Sequence, residues 1–340
     1  MTTMKTLVCQ EPAKLVYQQR TQPLPAPSEA LIKIKYVGIC GTDIHAWSGN
    51  QPFFSYPRIL GHEICGEIVG VGSKVFNLHA GQRVAVIPYV ACQRCGACRS
   101  GRTNCCENIS VIGVHQDGGF SEYLCVPVSN LLVVDDVDPV AAALIEPFAI
   151  SAHAIRRAAV AAKDHLLVVG AGPIGLGVAA IGIADGAKVV VADTSEQRRR
   201  HVEQTLGVAT LDPGATDFKS QLRKQFSGML AAKVIDATGN QHAMNNTVNL
   251  IRHGGGIVFV GLFKGNLQFA DPDFHKKETT MMGSRNATPE DFAKVGRLMA
   301  EGKISAEMML THRFNFDTLA DIYESEVINN RDLIKGVIQF

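Results

Sequence analysis

Between Val37 and Gly72 the chain places a thiol (Cys40), a hydroxyl (Thr42), three ionisable side chains (Asp43, His45 and His62) and a carboxylate directly after a histidine (Glu63). A thiolate, an imidazole and a carboxylate are the ligand types of a catalytic zinc, which takes three protein ligands and keeps a fourth position open. Gly41 and Gly61 stand beside Cys40 and His62, where a tight backbone turn favours a residue without a side chain. The stretch therefore reads as a zinc site. Thr42 and His45 add a hydroxyl and an imidazole that can relay a proton to water, since the ordinary pKa of histidine, about 6.5, suits that hand-off.

A second group of thiols follows at Cys92, Cys95 and Cys98, with Cys105 or Cys106 as the fourth. Short loops carrying four sulfurs can wrap one ion in a closed tetrahedral site. The flanks lack the interleaved aromatic and basic residues that nucleic-acid binding needs, so a structural zinc is the reading. All nine cysteines lie between Cys9 and Cys125. With no basic, apolar leader in view, metal binding explains them better than disulfides. The net charge of +1 gives no general pull toward nucleic acid or anionic membrane. No run of about 18 apolar residues is present, so a cytoplasmic protein is expected.

Positioning these groups requires a framework, and the pattern supplies two. Residues 1–150 alternate apolar and charged residues in short stretches, as in LIKIKYV, and look mainly β. Residues 139–162 are alanine-rich and helical, with Pro147 expected to break the pattern just after Glu146; that carboxylate sits among apolar neighbours and needs a cation partner. The strand LLVVG then leads into Gly170-Ala-Gly172-Pro173-Ile174-Gly175, which opens a helix, and KVVVAD ends at Asp193. In that setting the glycines form a dinucleotide fingerprint, with phosphates at the helix N-terminus and the ribose hydroxyls on Asp193. The charge of Asp193 favours NAD over NADP. Arg198, Arg199 and Arg200 follow as a run typical of a solvated face, with Arg198 retained as a cofactor contact. KVIDATG, IVFVGLF and TTMMGS continue a doubly wound parallel sheet over 151–284. A helix capped by Thr288, Pro289 and Asp291 and stopped at Gly302 lies within 285–340, a segment whose closing LIKGVIQF returns to the first domain.

A nicotinamide fold joined to a thiolate–histidine–carboxylate site points to hydride transfer between an alcohol and NAD, with zinc as Lewis acid. GICGTDIH, GHEICGEIVGVG, the cysteine cluster, DGGFSEY, EPFAISAHA and GAGPIG together resemble the zinc-dependent medium-chain alcohol/polyol dehydrogenases. The resemblance implies a GroES-like catalytic domain, a Rossmann domain and two zinc ions per chain. It assigns the structural ion to Cys92, Cys95, Cys98 and Cys106, and the catalytic ion to Cys40 and His62 with Glu63 or Glu146, which can exchange. A carboxylate at 146, where simple alcohol dehydrogenases carry a cysteine, points to the polyol, sugar-acid and threonine branch. Within it the chain resembles sugar-acid dehydrogenases that oxidise C5 of L-galactonate, or the related L-idonate, L-galactonate giving D-tagaturonate and NADH; sorbitol-type polyols and L-threonine are the alternatives. The implied partners are a small sugar acid and further copies of the chain, as dimer or tetramer, with neither nucleic acid nor membrane. Arg285 is the candidate cation for the substrate carboxylate, or else for a cofactor phosphate, and Asn50, Gln51 and His115 are lesser pocket candidates. A non-catalytic dinucleotide-binding protein on this scaffold is expected to lack Cys40, His62 or Glu146, and all three are present.

Overall fold

The computed structural model describes every residue except Met1 and Gln51–Phe53, so the candidate Gln51 lies outside the described residues. It divides into two compact units, Met1–Glu146 with Thr288–Ala300 and Leu310–Phe340, and Pro147–Ala287 with Glu301–Met309. The division falls at Glu146/Pro147 instead of 150/151. Glu301–Met309, expected in the returning segment, clusters with the second unit.

The first unit is organised on the strand Glu29–Ile39, which contains LIKIKYV. It pairs antiparallel with Glu63–Val71 on one side and with Gly336–Gln339 on the other. Arg83–Val86 and Leu131–Val133 extend the sheet beyond Glu63–Val71, and His312–Asn315 extends it beyond Gly336–Gln339. The inward residues Ile32, Ile34, Ile64, Ile68 and Phe120 are fully buried. Each such side chain contributes about 1.5–3 kcal/mol on leaving water, which fixes which face of each strand turns inward.

Register then decides where the chemistry falls. Gly38 pairs with Glu63, and Ile39 pairs with Gly336. Cys40 follows Ile39, His62 precedes Glu63 and Lys335 precedes Gly336, so three segments remote in sequence end side by side.

The second unit holds six parallel strands: His165–Val169, Lys188–Ala192, Ala209–Leu211, Ala231–Asp236, Ile251–Phe259 and Thr280–Gly283. Their spatial order is third, second, first, fourth, fifth, sixth. The inner strands read as unbroken apolar runs because helices cover both faces of a parallel sheet. The chain reverses direction of winding between the first and fourth strands, and a ligand crevice forms at the carboxyl ends there. Gly170 follows the first strand at that point.

Pro147 does not break the helix as expected. The helix Ile145–Arg157 begins before it, and the interruption lies at Leu144, the cap of Pro139–Ala143. Within a first turn proline lacks only an N–H that has no helical partner anyway. Among the described residues no helix is long and apolar enough to cross a membrane.

Candidate active site

One sulfur of Cys40, one ring nitrogen of His62 and one carboxylate oxygen of Glu63 lie within 4.8 Å of one another. A tetrahedral zinc with bonds of about 2.0–2.3 Å sets its ligands about 3.3–3.8 Å apart, so these donors need only small rotations to fit. His62 and Glu63 are buried, and His62 Nδ1 and Glu63 Oε2 have no hydrogen-bond partner among the described residues. Buried polar atoms left so are costly, and a bound cation satisfies them. The donor set therefore fits zinc.

Two side chains that the sequence did not single out as site residues hold this arrangement. Asp43, in the helix Gly41–Trp47, is 1% exposed. Its Oδ2 accepts from Cys40 N at 2.9 Å and its Oδ1 from Gly61 N at 3.1 Å. One carboxylate thereby ties together the turns that carry Cys40 and His62, and burial raises its pKa above the ordinary range. Lys335 is the second. Its Nζ donates to Glu63 Oε1 at 2.5 Å and to Ile39 O at 3.1 Å, with both side chains almost wholly buried. A lysine inside the apolar run LIKGVIQF was the available signal. Thr42 is half-buried and His45 exposed, both on the same helix, and the Cys40 amide is capped by Asp43, so Thr42 is no helix cap.

Glu146 stands outside the 4.8 Å set, buried in the first turn of Ile145–Arg157. Its Oε1 accepts from the Tyr89 hydroxyl, and Oε2 is buried without a partner among the described residues. Burial, opposed by His62, pushes its carboxyl up to about 7. Tyr89 is a further residue that sequence reasoning missed.

The second cysteine group closes as a separate cluster of Cys92, Cys95, Cys98 and Cys106, whose sulfurs also lie within 4.8 Å of one another. Cys95 and Cys106 sulfurs are 4.0 Å apart. Cys105 is exposed and outside the cluster, whereas Cys106 is buried within it. Amides of Arg94 and Cys95 hold the Cys92 thiol down to about 6, and the Cys98 amide lowers Cys95. Metals bind the thiolate, so these donors preorganise the loop for zinc.

In the second unit the helix Pro173–Ala184 starts from Gly172, with Pro173 in its first turn. A Cβ on Gly175 would fall 1.8 Å from Gly170 O, so only glycine lets the helix approach the loop this closely. Nothing lies within 4 Å of the corresponding position on Gly172, which leaves the loop open to a phosphate. Ile174 is half-buried, and its carbonyl accepts from Ser151 Oγ at 3.0 Å. Asp193 Oδ2 accepts from Ala171 N at 2.7 Å and Oδ1 from Ser195 N at 2.8 Å, fixing the carboxylate beside the loop. Arg199 is tied to Asp193 O at 2.7 Å and Arg200 pairs with Glu196, whereas Arg198 is half-buried on the same helix. Arg285 is exposed just past the sixth strand, and Asn50 and His115 are exposed in the first unit.

Comparison with known proteins agrees with both halves of this reading. Residues 26–136 match the alcohol dehydrogenase GroES-like domain, and residues 173–301 match the zinc-binding dehydrogenase domain. Over 340 residues, all of both chains, the sequence is 75% identical to the L-galactonate-5-dehydrogenase of Escherichia coli K12. An alcohol dehydrogenase structure from E. coli CFT073, complexed with NADH, superposes with a TM-score of 0.92 at 31% identity over all of both chains. A Sinorhizobium meliloti 1021 structure described as a zinc-binding dehydrogenase, bound to NADP, gives a TM-score of 0.93 at 28% identity, again over all of both chains. With a GroES-like and a zinc-binding dehydrogenase domain in one chain, and a full-length relative at this identity, the protein belongs to the zinc-type medium-chain alcohol dehydrogenase family.

Proposed function

We propose that the protein oxidises the C5 hydroxyl of L-galactonate to D-tagaturonate with reduction of NAD, and that Cys40, His62 and Glu63 hold the catalytic zinc. The observation that carries the substrate is the 75% identity, without a gap in coverage, to an enzyme named for that substrate. Zinc, when bound, supplies the Lewis acid that makes a substrate hydroxyl acidic, and NAD supplies the hydride acceptor. The chain's own groups do the rest. Asp43 keeps the Cys40 and His62 turns in register. Thr42 Oγ1 takes the hydroxyl proton and passes it to the exposed His45 imidazole, which exchanges it with water. Glu146 is the second carboxylate that would serve the zinc, as the alternative to Glu63 with which it can exchange. Gly170, Gly172 and the helix beginning at Pro173, Ile174 and Gly175 receive the pyrophosphate. Asp193 receives the ribose hydroxyls and repels a 2′-phosphate, which favours NAD, and Arg198 lies against the adenosine. Arg285 neutralises the substrate carboxylate. Cys92, Cys95, Cys98 and Cys106 hold the structural zinc. The protein works in the cytoplasm as a homo-oligomer, a dimer or tetramer.

The test is NADH formation by zinc-loaded protein offered L-galactonate, L-idonate, sorbitol and L-threonine, each with NAD and with NADP. Preference for L-galactonate with NAD supports the reading. Turnover of another of these substrates keeps the zinc chemistry and discards the substrate. Arg285→Met should raise KM for L-galactonate about tenfold or more while leaving KM for NAD unchanged; the reverse pattern would assign Arg285 to the cofactor.

A further inference from the structure

Two buried carboxylates serve this centre, and they are held unequally. Glu63 Oε1 takes a charged donor, the Lys335 ammonium at 2.5 Å, which also donates to Ile39 O. Glu63 Oε2 lies against Gly38, where a Cβ would come within 1.9 Å of it. Glu63 thus fills a close-fitting place on two sides. Its departure would leave a buried ammonium without its carboxylate, one of the costliest changes a protein interior can suffer. Glu146 Oε1 takes a neutral donor, the Tyr89 hydroxyl. That bond carries charge on the acceptor side only, whereas Lys335 and Glu63 pair two opposite charges, and a phenol that loses its acceptor strands no charge.

Tyr89 is itself rigidly placed. Its ring meets Phe292 edge-on at 6.2 Å and 75°. Its carbonyl accepts from Asn130 Nδ2 at 3.2 Å, and its side chain is 9% exposed at residue level. Glu146 remains within electrostatic reach of His62, Glu63 and Lys335.

From this asymmetry we infer that Tyr89 is a positioning residue: its hydroxyl is the dock that holds Glu146 back from the metal, and Glu146, not Glu63, is the carboxylate that moves. The inference rests on the reading that Cys40, His62 and Glu63 hold zinc with Glu146 beside them. Withdrawing Glu146 frees the position that the substrate hydroxyl needs; without the dock, carboxylate and substrate compete for it.

The test uses full-length protein whose catalytic zinc is replaced by cobalt(II), with zinc kept in the four-cysteine lobe. The visible absorption of cobalt reports its ligand set without turnover. Tyr89→Phe keeps the ring and removes only the dock. It should weaken and shift the cobalt bands toward higher coordination and raise KM for the alcohol substrate about tenfold, with a smaller change in kcat. Adding Glu146→Gln to Tyr89→Phe should cancel the spectral change. An unchanged Tyr89→Phe spectrum and KM, alongside an altered Glu146→Gln protein, would overturn the dock and leave the metal-site reading standing. A spectral change that survives in the double variant would also overturn it. If Glu146→Gln alone leaves spectrum and KM untouched, Glu146 does not belong to the centre, and that reading falls with the dock.

Discussion

Replacing Lys335 with methionine keeps the length and apolar stem of the side chain but deletes its charge. At the observed 2.5 Å and an effective dielectric of about 20, the gross attraction to Glu63 is about 7 kcal/mol. Most of it is offset by the cost of taking both ions out of water, since Lys335 is 2% and Glu63 0% exposed at the side chain. Removing one partner alone leaves the other stranded, so Lys335→Met should destabilise the first unit by about 3–5 kcal/mol. The measurement is urea unfolding of protein freed of catalytic zinc, so that no metal neutralises Glu63. The single tryptophan, Trp47, is buried in the helix that follows Cys40 and reports on this unit alone. With a slope of about 2–3 kcal/mol per molar, the midpoint should fall by about 1–2.5 M. Lys335→Met combined with Glu63→Gln should recover much of that loss. A fall below about 0.5 M, or a double variant as unstable as the single one, would refute the account of Lys335 as the counter-charge of a buried carboxylate.

Gly175→Ala should cut NADH affinity at least about tenfold by fluorescence titration, because its Cβ would meet the Gly170 carbonyl at 1.8 Å and backbone cannot yield as a side chain can. Asp193→Ser should raise the NADP-to-NAD ratio of kcat/KM by about tenfold or more in steady-state assays, by removing the charge that opposes a 2′-phosphate. His165 stacks on Phe226 at 4.7 Å, and burial, with Lys188 and Arg252, lowers its pKa. The unfolded chain therefore takes up the proton first, so this contribution to stability is present above about pH 6.5 and is lost as pH falls through the depressed folded value. His165→Phe should accordingly flatten the decline of the second unit's unfolding midpoint between about pH 7 and 5, measured by circular dichroism in urea.

Features set by local spacing were legible in the sequence. The cysteine cluster and the glycine loop each occupy a short stretch in which residue types and intervals dictate the geometry, and both form where expected. The fifth strand of the second unit was read as residues 257–263, yet it runs Ile251–Phe259. Its start carries Arg252, His253 and three glycines, poor strand formers by composition; Ile251 pairs with Ala231 and Gly256 with Lys233, and the residues between them form an irregularity in the ladder. The partners of the two carboxylates were not legible. Tyr89 meets Glu146 across 57 positions by packing of a strand against a helix turn, and Lys335 meets Glu63 across 272 by strand register, and neither is visible in local spacing. Asp43 lay in plain view, but its task depends on Gly61 arriving alongside it.

The strand Gly336–Gln339 sits against Glu29–Ile39, in the interior of the first sheet, after the whole second unit has intervened in the chain. The thiol cluster of Cys92–Cys106 is assembled from fifteen consecutive residues and needs no distant strand to bring its sulfurs together. The Cys40–His62–Glu63 centre lacks its counter-charge until Lys335 has been added and threaded into the sheet. One cluster is therefore closed by a short local stretch, and the other gains its buried counter-charge only with the last strand of the chain.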